Sequence, residues 1–297
     1  MKKIKNYFHH HLARPLYQIL RPFQAVFNLK KRTFFDKFKI KTKDGVSFWL
    51  YNNAFFWETE MFWTGFENFD YERKTREVWC ELAEKSKVIL DIGSNTGWFS
   101  MMAMANNPQA EIHAFEPQPN VFEVLKKNND INGFGITCNP IALSDKPGKF
   151  PFYNTGSETF ISKNTNHGSL NKEWRTEKQY AIEVEVKRLD EYWGYKSKKI
   201  DLIKIDVETF EYQVLKGYGK LLFDHRPIII LEIQDGLIGK NILNLVQDYQ
   251  FEFFHIDEKL GLRKVPALGT YADDIHRNYL ICHEEKTNLI SKFITKA

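Results

Sequence analysis

Cysteine is scarce in this chain of 297 residues. Cys80, Cys138 and Cys282 are odd in number, far apart and without the short spacings that close a zinc site or a disulfide framework. Their sparseness points to a reducing cytoplasm. No run of about 18 apolar residues occurs, so nothing reads as a membrane-spanning helix. The opening "MKKIKNYFHHHLARPLYQIL" is basic but lacks a signal-peptide core, because His9, His10, His11, Arg14 and Pro15 interrupt it. Acids are missing from the same end: residues 1–43 hold Asp36 alone against 12 Lys and Arg. That segment therefore carries +11 and the remainder −7 of a net +4. What is plentiful is aromatic: 15% Phe, Trp and Tyr, much of it before residue 80, within an ordinary 43% hydrophobic and 27% charged composition that excludes disordered and collagen-like classes.

The pattern divides the chain into a basic, aromatic-rich arm and lead-in over 1–68 and one domain over 69–297. Residues 45–53 read as a strand, 54–68 have no clean period, and 69–84 carry Val78, Trp79, Leu82 and Ala83 among charges, an amphipathic helix. Strand and helix then alternate. Strands are expected at 88–93, 111–117, 136–144, 201–207, 227–233, 251–256 and 278–283, with helices at 97–105, 119–132, 208–223 and 237–249. The Ile- and Leu-rich runs "DLIKIDV" and "PIIILEI" have the composition of strands buried on both faces. This rhythm predicts an α/β fold: a Rossmann-like, seven-stranded, mostly parallel sheet with helices on both faces. Residues 150–190 interrupt it. There Ile182, Val184 and Val186 alternate with Glu183, Glu185 and Lys187, a half-exposed strand, and the polar stretch 154–180 reads as a flap over a ligand site.

The stretch "VILDIGSNTGWFS" places the chemistry. In open α/β sheets the first strand-to-helix turn cradles the ligand. Gly93 and Gly97 let the backbone turn and a ligand approach, while Asn95 and Thr96 can cap the following helix. A dinucleotide site would need G-x-G-x-x-G. Here Asp91 precedes the turn, and a carboxylate there repels a pyrophosphate but suits an ammonium group. "HAFEP" then ends the second strand with Glu116, 25 positions after Asp91, where a carboxylate can accept both hydroxyls of a ribose. Ribose and amino acid without phosphate describe S-adenosylmethionine.

"KIDVE" supplies Lys204, Asp206 and Glu208 at the mouth of a central strand, with Glu232 ending its neighbour. Asp206 or Glu208 can serve as general base for a hydroxyl nucleophile. The same acids can hold a divalent metal, a reading ranked second and given no ligand set, or form a structural network neutralised by Lys204. His167, the only histidine of the flap, is a base that closure would deliver, or simply an exposed loop residue. His113 reads as packing. Trp174, Tyr180, Tyr153 and Phe160 can form an apolar or sugar-stacking wall.

Taken in order, "VILDIGSNTGWFS", "AFEPQPNVFEVLKKN", "PIALSDKPGKFPFY", "VKRLDEY", "DLIKIDVETFEYQVLKG" and "PIIILEI" resemble the FkbM family of S-adenosylmethionine-dependent methyltransferases over about residues 87–235. The resemblance implies a methyltransferase domain over 69–297. It sets the methionine moiety of the cofactor near Asp91, Gly93, Ser94, Asn95 and Gly97, and the ribose at Glu116 beside Pro117. Asn139, Ala142 and Leu143 would border the adenine. It further implies O-methylation of a hydroxyl on a sugar, a glycan or a small natural product. One departure is visible: the family has glycine after the acid of "KIDVEG", where this chain has Thr209. The arm lies outside the resemblance. Its charge and interleaved Tyr, Phe and Leu suit peripheral contact between residues 1–43 and an anionic membrane at the inner face, or a helix packed on its own domain. Nucleic-acid methylation with the arm as footprint is the alternative, disfavoured because no "NPPY"-like tetrapeptide stands at the fourth strand; "NPIA" at 139–142 lies on the third. A cofactor-binding scaffold without turnover would leave Asp206 and Glu208 idle.

Overall fold

A computed structural model describes residues 14–155, 167–194, 196–269 and 277–295. The first 13 residues of the arm and much of the expected flap, with Phe160, lie outside the described residues. Helix α1 (Arg14–Leu20) precedes an antiparallel hairpin of β1 (Phe35–Lys41) and β2 (Ser47–Asn53). Helices α2 (Phe56–Thr64) and α3 (Arg73–Glu84) lead into the alternation of β3 (Val88–Ile92), α4 (Trp98–Asn106), β4 (Glu111–Phe115), α5 (Pro119–Asn132) and β5 (Thr137–Asn139). Next come β6 (Ala142–Leu143), β7 (Gly148–Thr155), β8 (Gly168–Ser169) and β9 (Gln179–Lys187), which pair among themselves in the order β6-β9-β7-β8. The chain closes with α6 (Leu189–Trp193), β10 (Leu202–Ile205), α7 (Glu211–Tyr218), α8 (Leu221–His225), β11 (Ile228–Glu232), α9 (Gly236–Val246), β12 (Phe251–Asp257), β13 (Gly261–Lys264) and β14 (Asn278–His283).

The central sheet runs β13-β12-β14-β11-β10-β3-β4-β5, parallel from β11 to β5 and antiparallel beyond. It is the expected mostly parallel α/β sheet, with an eighth strand at its edge. The extra strand arises because Asp257 Oδ1 accepts from the backbone N–H groups of Lys259 and Leu260 and folds β12 back into a hairpin. Two expected elements are broken by local backbone chemistry. The strand over 136–144 splits at Pro140, which has no N–H to offer a ladder; β5 stays in the central sheet while β6 joins β9. The helix expected from 208 starts at Glu211 because Glu208 and Thr209 take φ of 53° and 74°, and it breaks at Gly219.

Both faces of the sheet are covered. Ile89, Leu202 and Ile228 belong to one core with Trp79 of α3 and Phe99 of α4. Leu90, Ile203 and Ile229, one residue along each strand, belong to a second core with Trp193, Val214, Leu222 and Ile242 of the opposite helices. The lead-in segment enters the first core: Phe34, Phe38, Phe48 and Leu50 are buried there, and Phe62 packs edge-on against Phe34 with ring centroids 4.6 Å apart. The edge of β2 meets α5 rather than another strand. Asn132 Oδ1 accepts from Trp49 N–H at 2.6 Å, Asn128 Oδ1 accepts from Tyr51 N–H at 2.7 Å, and Asn128 Nδ2 donates to the Thr96 carbonyl at 2.7 Å. Two asparagines thus take the place of a neighbouring strand.

Candidate active site

The chain steps from β3 outward to β4 and β5, then returns to β10 on the other side of β3, so β3 and β10 form the switch point of the sheet. A cavity of about 600 Å³ opens at the carboxyl ends of these strands. Its size falls in the range of small-molecule sites.

One side is the β3–α4 turn. Gly93 has φ of 76°, and a Cβ there would stand 1.9 Å from the carbonyl oxygen of Asp206, so the close approach of β3 and β10 admits no side chain. The N–H groups of Gly93 and Ser94 both donate to the Phe115 carbonyl, and the Ser94 hydroxyl is buried with no partner among the described residues. Glu116 is buried facing the turn: Oε2 accepts from Asn95 N–H at 3.0 Å and Oε1 from Gln118 N–H at 2.8 Å. Burial pushes its carboxyl up to about 7 despite these two donors. Asp91 accepts from the Ser100 hydroxyl at 2.5 Å and is raised by burial, with Lys204 pulling it back.

Asp91, Gly93, Ser94, Asn95, Glu116, Pro117, Ala142 and Leu143 all line the cavity. Gly97 and Asn139 do not. Gly97 is instead a packing position, where a Cβ would meet Leu125 Cδ1 of α5 at 2.3 Å. Asn139 is occupied by the sheet: its Nδ2 donates to the carbonyls of Ala114 and Thr137, and its Oδ1 accepts from the Tyr192 hydroxyl at 2.7 Å. His113 is buried between Glu111 and Tyr192, away from the cavity.

The opposite side gathers charge. Lys204 Nζ donates to Asp206 Oδ2 at 2.8 Å. Burial drives the ammonium down, but Asp206, Glu72 and Asp91 outweigh it and the net shift is upward. Glu72 is raised to about 7 by burial, with Lys204 and a hydrogen bond from Asn278 opposing. Glu232 rises well above the usual carboxylate range through burial and the nearby Asp206 and Glu208. The flap residue His167 arrives here: its Nδ1 lies 3.1 Å from Glu208 Oε1, while Glu208 Oε2 accepts from Gln234 Nε2 at 2.8 Å. Ser169 donates to the Glu208 carbonyl and Asn171 Nδ2 to the Thr209 hydroxyl, so three residues of the flap are tied to the β10–α7 loop. Lys204, Asp206, Glu208 and His167 therefore all face one cavity. Among the described residues no three His, Cys, Asp or Glu side chains converge on a position that could hold a metal ion.

Sequence reasoning missed the third wall. Trp57 and Tyr71 stack with centroids 4.1 Å apart, and Trp98 continues the stack 6.3 Å from Tyr71 at an interplanar angle of 17°. All three line the cavity, as does Glu58, whose Oε1 accepts from the Thr96 hydroxyl at 2.6 Å and whose Oε2 is buried without a partner among the described residues. The expected wall of Tyr153, Trp174 and Tyr180 does not line this cavity. The one available signal was negative: residues 54–68 are aromatic yet aperiodic, as a segment that packs on one side and lines a site on the other must be.

Comparison with known proteins follows the same strands. The profile of the methyltransferase FkbM domain matches residues 91–261. Methyltransferase sdnD of Sordaria araneosa is 33% identical over 189 residues, covering 55% of this chain and 73% of that protein. The hexuronic acid methyltransferase AglP of Haloferax volcanii is 27% identical over 177 residues, covering 60% and 68%. The 2-O-methyltransferase NoeI of Sinorhizobium fredii is 28% identical over 169 residues, covering 54% and 68%.

Proposed function

The chain belongs to the FkbM methyltransferase family, and on that premise we propose that it methylates a hydroxyl of a sugar, glycan or small natural product with S-adenosylmethionine as donor. The observation that carries this reading is the meeting of Glu116 and the His167–Glu208 pair in one cavity. The donor side fits its ligand chemically. Each oxygen of Glu116 accepts one backbone N–H, which leaves further lone pairs for ribose hydroxyls, and the unpartnered Ser94 hydroxyl and the carboxylate of Asp91 suit an amino acid's polar end. When bound, S-adenosylmethionine supplies a methyl group already activated on a positively charged sulfur. The protein has then to orient an acceptor hydroxyl and take its proton.

His167 is the proposed base. In the neutral ring, an Nδ1–H donated to Glu208 turns the lone pair of Nε2 outward to accept the hydroxyl proton, while Gln234 holds Glu208 from its other oxygen. Lys204 pairs with Asp206 and keeps that carboxylate fixed beside the β3–α4 turn. The Trp57–Tyr71–Trp98 stack offers flat faces to an acceptor ring. The names of two relatives, one acting on hexuronic acid and one at a 2-O position, support a sugar-type hydroxyl. Calorimetric titration with S-adenosylmethionine tests the donor half: Glu116→Ala should lose most of the affinity. Radiolabelled methyl transfer to hydroxylated sugars tests the other. There His167→Ala should lower kcat by about 10²- to 10⁴-fold with donor affinity unchanged, and equal turnover in the variant would remove His167 from the mechanism.

A further inference from the structure

Five large apolar side chains between residues 16 and 27 face solvent: Leu16, Ile19, Phe23, Val26 and Phe27 are 47% to 76% exposed. Elsewhere among the described residues the exposed large hydrophobics are Phe56 and Tyr71, both against the Trp57 ring, and Phe150, Leu237, Tyr249 and Leu260. The patch is held in place. Tyr17 is buried between Trp63 and Phe34, Leu20 packs on the core, and the Arg21 guanidinium lies 5.5 Å from the Phe62 ring centroid.

Beside the patch runs a basic ridge. Arg14 pairs with Asp36 at 3.1 Å and sets α1 next to the start of β1. Because strand side chains alternate, Phe38 and Ile40 enter the core while Lys37, Lys39 and Lys41 line the outer face. The Trp49 ring sits between the first two, with their Nζ atoms 5.0 and 5.9 Å from its centroid. Lys30 and Arg32, also exposed, join patch to ridge.

We propose that residues 14–41 form a face that docks on an anionic lipid bilayer, with the apolar side chains entering the interface and the lysines meeting the headgroups. The face lies on the membrane: among the described residues no helix is long and apolar enough to cross one. Its charge is strongly positive, with Asp36 the one acid and paired to Arg14, which would repel a second copy of itself and favours a negatively charged partner. The docking does not depend on the methyl-transfer reading. Were both to hold, α2, which follows the hairpin and supplies Trp57 and Glu58 to the cavity, would tie the active site to the membrane-bound segment and favour lipid-linked acceptors.

The test is co-sedimentation of the full chain with phosphatidylcholine vesicles, with and without about 30% phosphatidylglycerol. The expected result is at least about tenfold tighter binding to the anionic vesicles, weakened when salt is raised to about 0.5 M. Ile19→Ser with Phe23→Ser and Phe27→Ser should abolish it, and so should Lys37→Glu with Lys39→Glu, each with an unchanged circular dichroism spectrum. Absence of binding to either vesicle, equal binding to both, or binding that survives both variants overturns the proposal. So does a concentration-dependent dimer that the serine variant dissolves while no vesicle is bound, since the patch would then belong to a second copy.

Discussion

Single residues decide the donor site by how little space or how much water they leave. At Gly93 a methyl group would collide with the Asp206 carbonyl, and φ of 76° adds backbone strain for any L side chain. Gly93→Ala should therefore destabilise the protein by more than about 2 kcal/mol in urea denaturation, with donor binding reduced in the fraction that folds. In the proposed donor site Glu116 would work through its ionised form, because only the carboxylate can accept two ribose hydroxyls while holding two N–H groups. Burial has raised it to about 7, so affinity for S-adenosylmethionine should climb as pH rises through that value and level off above it. Glu116→Gln should bind more weakly and lose this pH dependence in calorimetric titrations. Thr209 tolerates φ of 74° where the family motif has glycine, and its hydroxyl accepts from Asn171. That hydrogen bond, of about 1 kcal/mol, offsets a strain of similar size.

Elements matter here through unusual neighbours. Helix α5 pairs with β2 through Asn128 and Asn132, and Asn128 is fully buried. Truncation to Asn128→Ala leaves the Tyr51 N–H and the Thr96 carbonyl without that partner. A loss of about 2–3 kcal/mol follows, read as a lower urea midpoint at constant slope. Asn132→Ala should cost less, because its site is half-exposed and water can replace the side chain. The flap shows a comparable dependence. Its short strand β8 is joined to the β10–α7 loop by Ser169 and Asn171, so His167 stays beside Glu208 while those contacts persist.

Across the whole molecule, buried acids set the pH at which the ligand-free fold is most stable. Glu72 and Glu116 rise to about 7 and Glu211 to about 8, each chiefly by burial, against 4.5 for the free side chain. A carboxyl raised on folding contributes stability that is fully present below the unfolded value and lost as pH rises through the folded one. On the acid side, Glu111 is lowered to about 2 by hydrogen bonds from Lys198 and His113, and what little this exposed group contributes is lost as pH falls from 4.5 towards that value. The melting temperature should thus be highest near pH 4.5, fall as pH rises towards 8, and level off above it. A thermal scan that rises from pH 6 to 9 would contradict the burial of these acids.

Much of this was legible before any coordinates. Runs such as "PIIILEI" can be buried on both faces only as inner strands, and the Gly93 turn with Glu116 at the next strand end is specified by neighbours a few residues away. Local sequence therefore determined the parallel sheet and the turn that forms the proposed donor half of the site. Pro140 and the positive φ values at Glu208 and Thr209 shortened elements that composition alone would have run on. The acceptor wall was decided elsewhere. Trp57 and Glu58 come from a segment with no clean period and Tyr71 and Glu72 from the start of the stretch read as an amphipathic helix, and they reach the cavity because the β1–β2 hairpin and α2 pack into the core that covers β3. Only packing across long stretches of chain could bring them beside Lys204 and Glu232, since contacts between distant residues depend on how whole elements stack and leave no mark on the spacing of the residues themselves.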